Sequence, residues 1–255
     1  MISSLFANSM LFSWISAIRA DPGNGFIVMV IQIVSLLGAL ILHEISHGYM
    51  ALWCGDPTAK MLGRLSLNPS HHLDPIGTTM MLLVGVGYAK PVPVNPNNFR
   101  HYRRDDLLVS LAGITMNLIL FLLSAFFMAL TARVFVQNAG YDSIYALSEL
   151  AYARKAGTGA LTAHYLFLFF RHFASLNLGL ALFNLLPIPP LDGYHVLNDT
   201  ILKGRLRLNP ELFRIFQIVL IALLVFTNVV GRLLGILMNA VWNPVIEFFF
   251  SLLFK

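Results

Sequence analysis

Charge is scarce in this chain. Of its 255 residues, 11% are Asp, Glu, Lys or Arg and 57% are hydrophobic, against roughly 25% charged in a soluble domain. That excludes a soluble globular protein and points to a polytopic membrane protein, with no long polar stretch left over for a separate soluble domain. Cysteine is nearly absent. Cys54 stands alone, which excludes an internal disulfide and any cysteine-based zinc site. The first 18 residues hold no Lys or Arg, so a cleavable signal peptide is not expected. The net charge of +5 would suggest nucleic acid in a soluble chain. Here the basic residues sit mainly in short loops, as the positive-inside rule requires, and no nucleic-acid partner is expected.

What is present is a series of apolar runs. Residues 1–20 read as an interfacial helix or a short spanning one, with Leu11, Trp14, Ile15 and Ile18 on one face. Asp21 to Gly25 reads as a turn. Phe26 to Cys54 is long enough to span the roughly 20 residues a bilayer needs. Thr78 to Val86 is too short to cross, and Lys90-Pro91-Val92-Pro93-Val94 reads as extended chain. Non-helical backbone at membrane depth survives where protein or a wet cavity covers it, so a re-entrant loop or β-hairpin is expected here. Leu107 to Ala132, Ala160 to Leu186 and Ile215 to Gly231 are further spans, and Leu233 to Phe254 is a span or a surface helix. The fold class is therefore all-α, with about four to six transmembrane helices and a short membrane-embedded hairpin or re-entrant loop. Residues 26–200 form the core, and 210–255 add C-terminal membrane helices. Lys60, Arg64, Lys90, Arg100, Arg103, Arg104, Lys203, Arg205, Arg207 and Arg214 cluster on one side, which the charge rule makes cytoplasmic.

Chemistry concentrates in His43-Glu44-Ile45-Ser46-His47. Two histidines four apart share one helix face and can hold one zinc ion, with the intervening glutamate close to a metal-bound water. Glu44 is the one formal charge between Phe26 and Cys54, and an ionisable group at that depth is costly and usually functional. A catalytic zinc takes three protein ligands and keeps one open position, so a third His, Glu or Asp is needed. Asp192 is the best placed. It lies at similar depth, among helix-breaking prolines and glycine that aim it inward. Zinc would lower the pKa of its water, and Glu44 would take the proton and return it to a leaving amine. Asn184 and Asn117 could hydrogen-bond a peptide carbonyl or an oxyanion.

With Asn184 through Gly193, the histidine motif resembles the site-2 protease family of intramembrane zinc metalloproteases. The likeness extends through Gly63 to Pro69, His72 to Gly77, Tyr88 to Pro96 and Ala112 to Asn117. The resemblance implies one zinc per chain held by His43, His47 and Asp192, with Glu44 catalytic and Asn184 holding substrate. It also implies that Gly85-Val86-Gly87 belongs to a hairpin on which an unwound substrate adds as a strand. The substrates would be transmembrane proteins, and the home of the enzyme the lipid bilayer, as a multi-pass protein of a prokaryotic cell membrane with its active site toward the cytoplasm. Two departures stand out: Ala112-Gly113-Ile114 replaces the family's Ala-Gly-Pro, and the PDZ domain of many relatives has no counterpart.

Two other classes compete. A membrane di-iron oxygenase also uses about eight histidines, and this chain has 8, but Asn68 stands where the second histidine box needs its first ligand. A metal transporter predicts ligands along a pathway and internal repeats, and the sequence has no repeat. Plainer roles compete for single residues. Asn117 could be a helix-packing amide, Gly85 and Gly87 could permit close backbone packing, and His71 and His72 could pin the loop.

Overall fold

A computed structural model describes residues 10–84, 87–139, 150–206 and 208–254. Among these residues the structure is helical, with no strand. Four helices are long and apolar enough to cross a membrane: Pro22–Trp53 (α2), Tyr102–Val136 of α5, Thr158–Asn184 (α7) and Val229–Leu253 (α10). Shorter helices are Met10–Ala20 (α1), Thr58–Met61 (α3), Pro75–Val84 (α4), Leu150–Lys155 (α6), Asp192–Thr200 (α8) and Pro210–Phe226 (α9), and α5 as a whole runs Tyr102–Ala139. The protein is an integral membrane protein.

The first turn is tighter than expected. Asp21 alone separates α1 from α2: it caps α2, accepting from Asn24 N–H at 3.1 Å, and Pro22 occupies the first helical position, where its missing N–H costs nothing. Gly23 to Gly25 are therefore helix, not loop. A Cβ on Gly25 would lie 2.5 Å from the Ile18 backbone nitrogen, so this glycine lets α1 fold back on α2. Trp14 Nε1 then donates to Gln32 Oε1 at 2.5 Å. The expectations for residues 1–9 and 140–149 fall outside the described residues.

The centre is α2, α5 and α7. Ala125, Ala129, Ala132, Ala174 and Ala181 are almost fully buried, small enough for the helices to approach closely. Phe121, Leu178, Phe135 and Phe167 fill the space between them. From outside, α10 lays Trp242 and Ile246 against both groups. The sequence expectation of a span over Ile215 to Gly231 is corrected. The helix α9 ends at Phe226, Thr227 is extended with its hydroxyl on Leu223 O, and α10 begins at Val229. A side-chain hydroxyl competing for a backbone carbonyl favours such a break.

Between α2 and α5 the chain is held by side chains. Asp56, fully buried, accepts from Thr58 N–H (3.1 Å), the Thr58 hydroxyl, Asn98 Nδ2 (2.7 Å) and Asn95 N–H (2.7 Å). Arg64 donates to the carbonyls of Lys90 and Pro91 at 2.9 and 3.0 Å. His72 Nε2 bonds Ser66 O at 2.7 Å, and its own carbonyl accepts from Lys90 N–H at 2.8 Å. Residues 87–95 thus run over α2 without regular structure.

Candidate metal centre

The three groups of the candidate centre come from two places in the chain. One turn of α2 presents His43 and His47, four residues apart on one face. Their Nε2 atoms lie 3.0 Å apart. The first residue of α8 brings in Asp192, whose Oδ2 is 3.4 Å from each Nε2. Tetrahedral zinc bonded to nitrogen and oxygen at its usual distances places its ligands about 3.3 Å apart, so this triangle has the right size. Asp192 Oδ2 is buried with no hydrogen-bond partner, a costly state for a carboxylate unless a cation meets it. Among the described residues, this is the cluster of three such groups able to hold a metal ion.

The neighbours of the triangle fix its rings and leave room for an ion. His47 Nδ1 is 2.7 Å from Val109 O. A carbonyl can only accept, so Nδ1 carries the proton and Nε2 keeps its lone pair for a metal. His43 Nδ1 is 2.5 Å from Asn117 Oδ1. Gly113 on α5 closes the site: a Cβ there would sit 2.5 Å from His47 Nε2 and 2.6 Å from His43 Cε1, inside the space an ion needs. Gly193 makes the approach of α8 possible, since a Cβ would fall 2.3 Å from Leu185 O. The Asp-Gly pair thus joins a candidate ligand to the glycine that lets it come near. Further along α8, His195 Nδ1 meets Asp106 Oδ2 at 3.0 Å and Arg103 donates to Asp199 O at 2.6 Å, fastening α8 to α5.

Glu44 Oε2 accepts from Val92 N–H at 2.8 Å. This contact depends on Gly48, one turn on, where a Cβ would lie 2.4 Å from Leu65 Cδ2 and 3.0 Å from Val92 Cγ1. The extended segment therefore lies directly on the helix that carries the histidines.

The remaining sequence-selected residues are spread around this centre. Asn117 is fully buried beside His43, with Nδ2 donating to Asn177 Oδ1 at 2.7 Å. Asn184 ends α7 and donates to Leu180 O at 3.0 Å. Gly87 packs against α4, its Cβ position 2.2 Å from Gly77 O. Gly85 and Val86 lie outside the described residues. An apolar cleft of about 90 Å³ runs between Gly87 and Tyr88, Pro190 and Leu191, and α9 at Gln217 and Leu220. Its wall at Leu191 adjoins Asp192. Sequence reasoning missed Gly48 and Asn177, and took Gly113 only as part of Ala112-Gly113-Ile114, without a role. A glycine directly after the histidine motif, in an apolar helix, was a usable signal for the first.

Spanning helices, one of which brings two histidines to a single point with an aspartate from α8, fit a membrane-embedded metallohydrolase. Comparison with known proteins makes this specific. The model of peptidase family M50 matches residues 31–227. "Putative zinc metalloprotease YwhC" of Bacillus subtilis is 41% identical over 172 residues, 68% of this chain and 69% of that one. "Putative zinc metalloprotease Rip2" of Mycolicibacterium smegmatis is 28% identical over 216 residues, 83% of this chain and 70% of that one. Its Mycobacterium tuberculosis namesake is 32% identical over 189 residues, 72% of this chain and 62% of that one. No solved structure matches significantly. The chain belongs to peptidase family M50, the site-2 proteases, and is an intramembrane zinc metalloprotease.

Proposed function

We propose that this protease cuts peptide bonds in or beside transmembrane segments of membrane proteins, near the cytoplasmic face of a prokaryotic cell membrane. His43, His47 and Asp192 hold the zinc, and Glu44 is the general base. The observation that carries this reading is the 3.0, 3.4 and 3.4 Å triangle of ligand atoms around an unpartnered carboxylate oxygen. Zinc, when bound, supplies a Lewis acid for the scissile carbonyl and a water of lowered pKa. Glu44, held at Oε2 by Val92 N–H, uses its other oxygen to take the water's proton and pass it to the leaving amine. Asn184 Nδ2 has a second hydrogen to offer a substrate carbonyl.

A transmembrane helix hides its peptide bonds, so substrate has to unwind before cleavage. The extended segment from Gly87, together with Gly85 and Val86, is the proposed edge for it, by main-chain addition. The apolar cleft between Tyr88, Leu191 and α9 is the proposed way in from lipid. The proposed core is residues 26–200, with both termini peripheral. The cytoplasmic placement follows from the basic loops, and the histidines lie about 32 and 38 Å along α2, well past the middle of a helix about 48 Å long.

The test is zinc content and cleavage of a single-span model substrate, measured on detergent-purified wild type, Asp192→Ala and Glu44→Gln. The expected result is one zinc per chain in wild type, loss in Asp192→Ala, and retained zinc without cleavage in Glu44→Gln. Cleavage surviving in Glu44→Gln would remove Glu44 as the base.

A further inference from the structure

Asn177 lies in the C-terminal third of α7, fully buried, and its hydrogen bonds go to Phe173 and Asn117 rather than to the proposed zinc ligands. It is one link of an unbroken chain of hydrogen bonds. Asn177 Nδ2 donates to Phe173 O at 2.8 Å. Asn117 Nδ2 donates to Asn177 Oδ1 at 2.7 Å. Asn117 Oδ1 faces His43 Nδ1 at 2.5 Å. A carboxamide can be turned end for end with little change in shape, so something has to choose the direction of this chain.

The chooser is a group that cannot be turned. Phe173 O is a backbone carbonyl and only accepts. Asn177 must therefore present its NH2 to Phe173 and its oxygen to Asn117. Asn117 must answer with its NH2, leaving its oxygen for His43. Ala39 O lies 3.4 Å from Asn117 Nδ2, beyond the usual hydrogen-bond range, so the 2.7 Å bond to Asn177 is the one that orients Asn117. The His43 proton is then fixed on Nδ1, and the Nε2 lone pair points into the ligand triangle. With the chain reversed, Asn117 would donate to Nδ1 and the proton would move to Nε2, where the metal has to bind.

We propose that Asn177 is a positioning residue for the metal centre: its carboxamide, oriented by Phe173 O, sets the direction of the Asn117 amide and so the tautomer of His43. This rests on the zinc reading above. Outer partners of ligating histidines typically contribute 10- to 100-fold in metal affinity. Asn177 is one step further out, so the low end applies. Its bonds cross between α7, α5 and α2, away from any solvent that could replace them: Asn117 and Asn177 both have no exposed surface.

The experiment is zinc affinity by chelator competition, on the detergent-purified full chain. Asn177→Leu should bind zinc roughly 10-fold more weakly than wild type. In an Asn117→Asp background, a carboxylate accepts from His43 Nδ1–H whatever faces it, so the direction no longer depends on Asn177. There, adding Asn177→Leu should change affinity less than about twofold, since the coupling energy reports the shared network. Asn177→Thr guards against a packing artefact. Its hydroxyl can replace the bond to Phe173 O but cannot reach Asn117, so it should weaken zinc as Asn177→Leu does. Unchanged affinity in Asn177→Leu, equal weakening in both backgrounds, or wild-type affinity in Asn177→Thr would each overturn the proposal. Absence of zinc from wild type would instead overturn the metal site itself.

Discussion

At the scale of single residues, the site depends as much on side chains that are missing as on those present. Gly113 faces both imidazoles, and the Cβ of an alanine there would come within 2.5 Å of His47 Nε2. That contact is with imidazole atoms of the proposed ligands, fixed by bonds behind them, His47 to Val109 O and His43 to Asn117, so neither ring can retreat. Gly113→Ala is expected to bind less than about a tenth of the wild-type zinc while its helix content is unchanged, because Ala is a better helix former than Gly. Metal analysis beside circular dichroism checks this, and wild-type zinc in the variant would mean that the ion sits away from Gly113. Gly48 makes a different demand. Its missing side chain leaves room for Leu65 and Val92, and so brings Val92 N–H to Glu44.

At the scale of elements, the strap over α2 hangs on Asp56. Burial pushes its carboxyl up, but hydrogen bonds from the Thr58 hydroxyl, Asn95 N–H, Asn98 and Thr58 N–H outweigh that and hold it below its ordinary value of 3.8. A carboxyl depressed on folding adds stability that is fully present above the unfolded value and is lost as pH falls through the folded one. Asp56→Asn puts an NH2 among donors and is expected to cost about 1–3 kcal/mol at neutral pH. The gap from wild type should narrow as pH drops below 3.8, which thermal melts across acid pH would show. A constant gap would remove the carboxylate charge from the account. These elements also show how much was legible. The meeting of His43 and His47 with Asp192 could be read because their chemistry and spacing are rare in an apolar run. The spans over Phe26 to Cys54, Leu107 to Ala132 and Ala160 to Leu186 could be read because length and hydropathy decide them. Asp21 to Gly25 misled, because a cap followed by Pro at the first helical position has the same letters as a turn. Asn177 could not be read at all. An amide in a membrane helix shows its polarity in the sequence, but not the partner across the bundle that gives it a direction.

At the scale of the molecule, the proposed metal site is a tie between distant parts of the chain. His43 and His47 belong to α2, Asp192 to α8, and the supporting groups Asn117 and Val109 to α5. Without a cation, Asp192 Oδ2 is a buried oxygen with no hydrogen-bond partner, close to two imidazoles whose lone pairs point the same way. The folded chain therefore has reason to bind zinc, and zinc has reason to favour the folded chain. Ligand that binds only the native state adds about 2.7 kcal/mol at a hundredfold excess over its dissociation constant. For a chain of this size that amounts to a melting shift of roughly 5–10 °C. Chelation should lower the melting temperature of the detergent-purified wild type by that order, and readdition of zinc should restore it. Asp192→Ala should melt at one temperature with or without chelator, since its triangle has lost a corner. Glu44→Gln should respond as wild type does, because Glu44 bonds Val92 N–H and stands outside the ligand triangle. A chelator shift that persisted in Asp192→Ala would place the stabilising ion elsewhere in the molecule, and a shift lost in Glu44→Gln would make that glutamate a ligand.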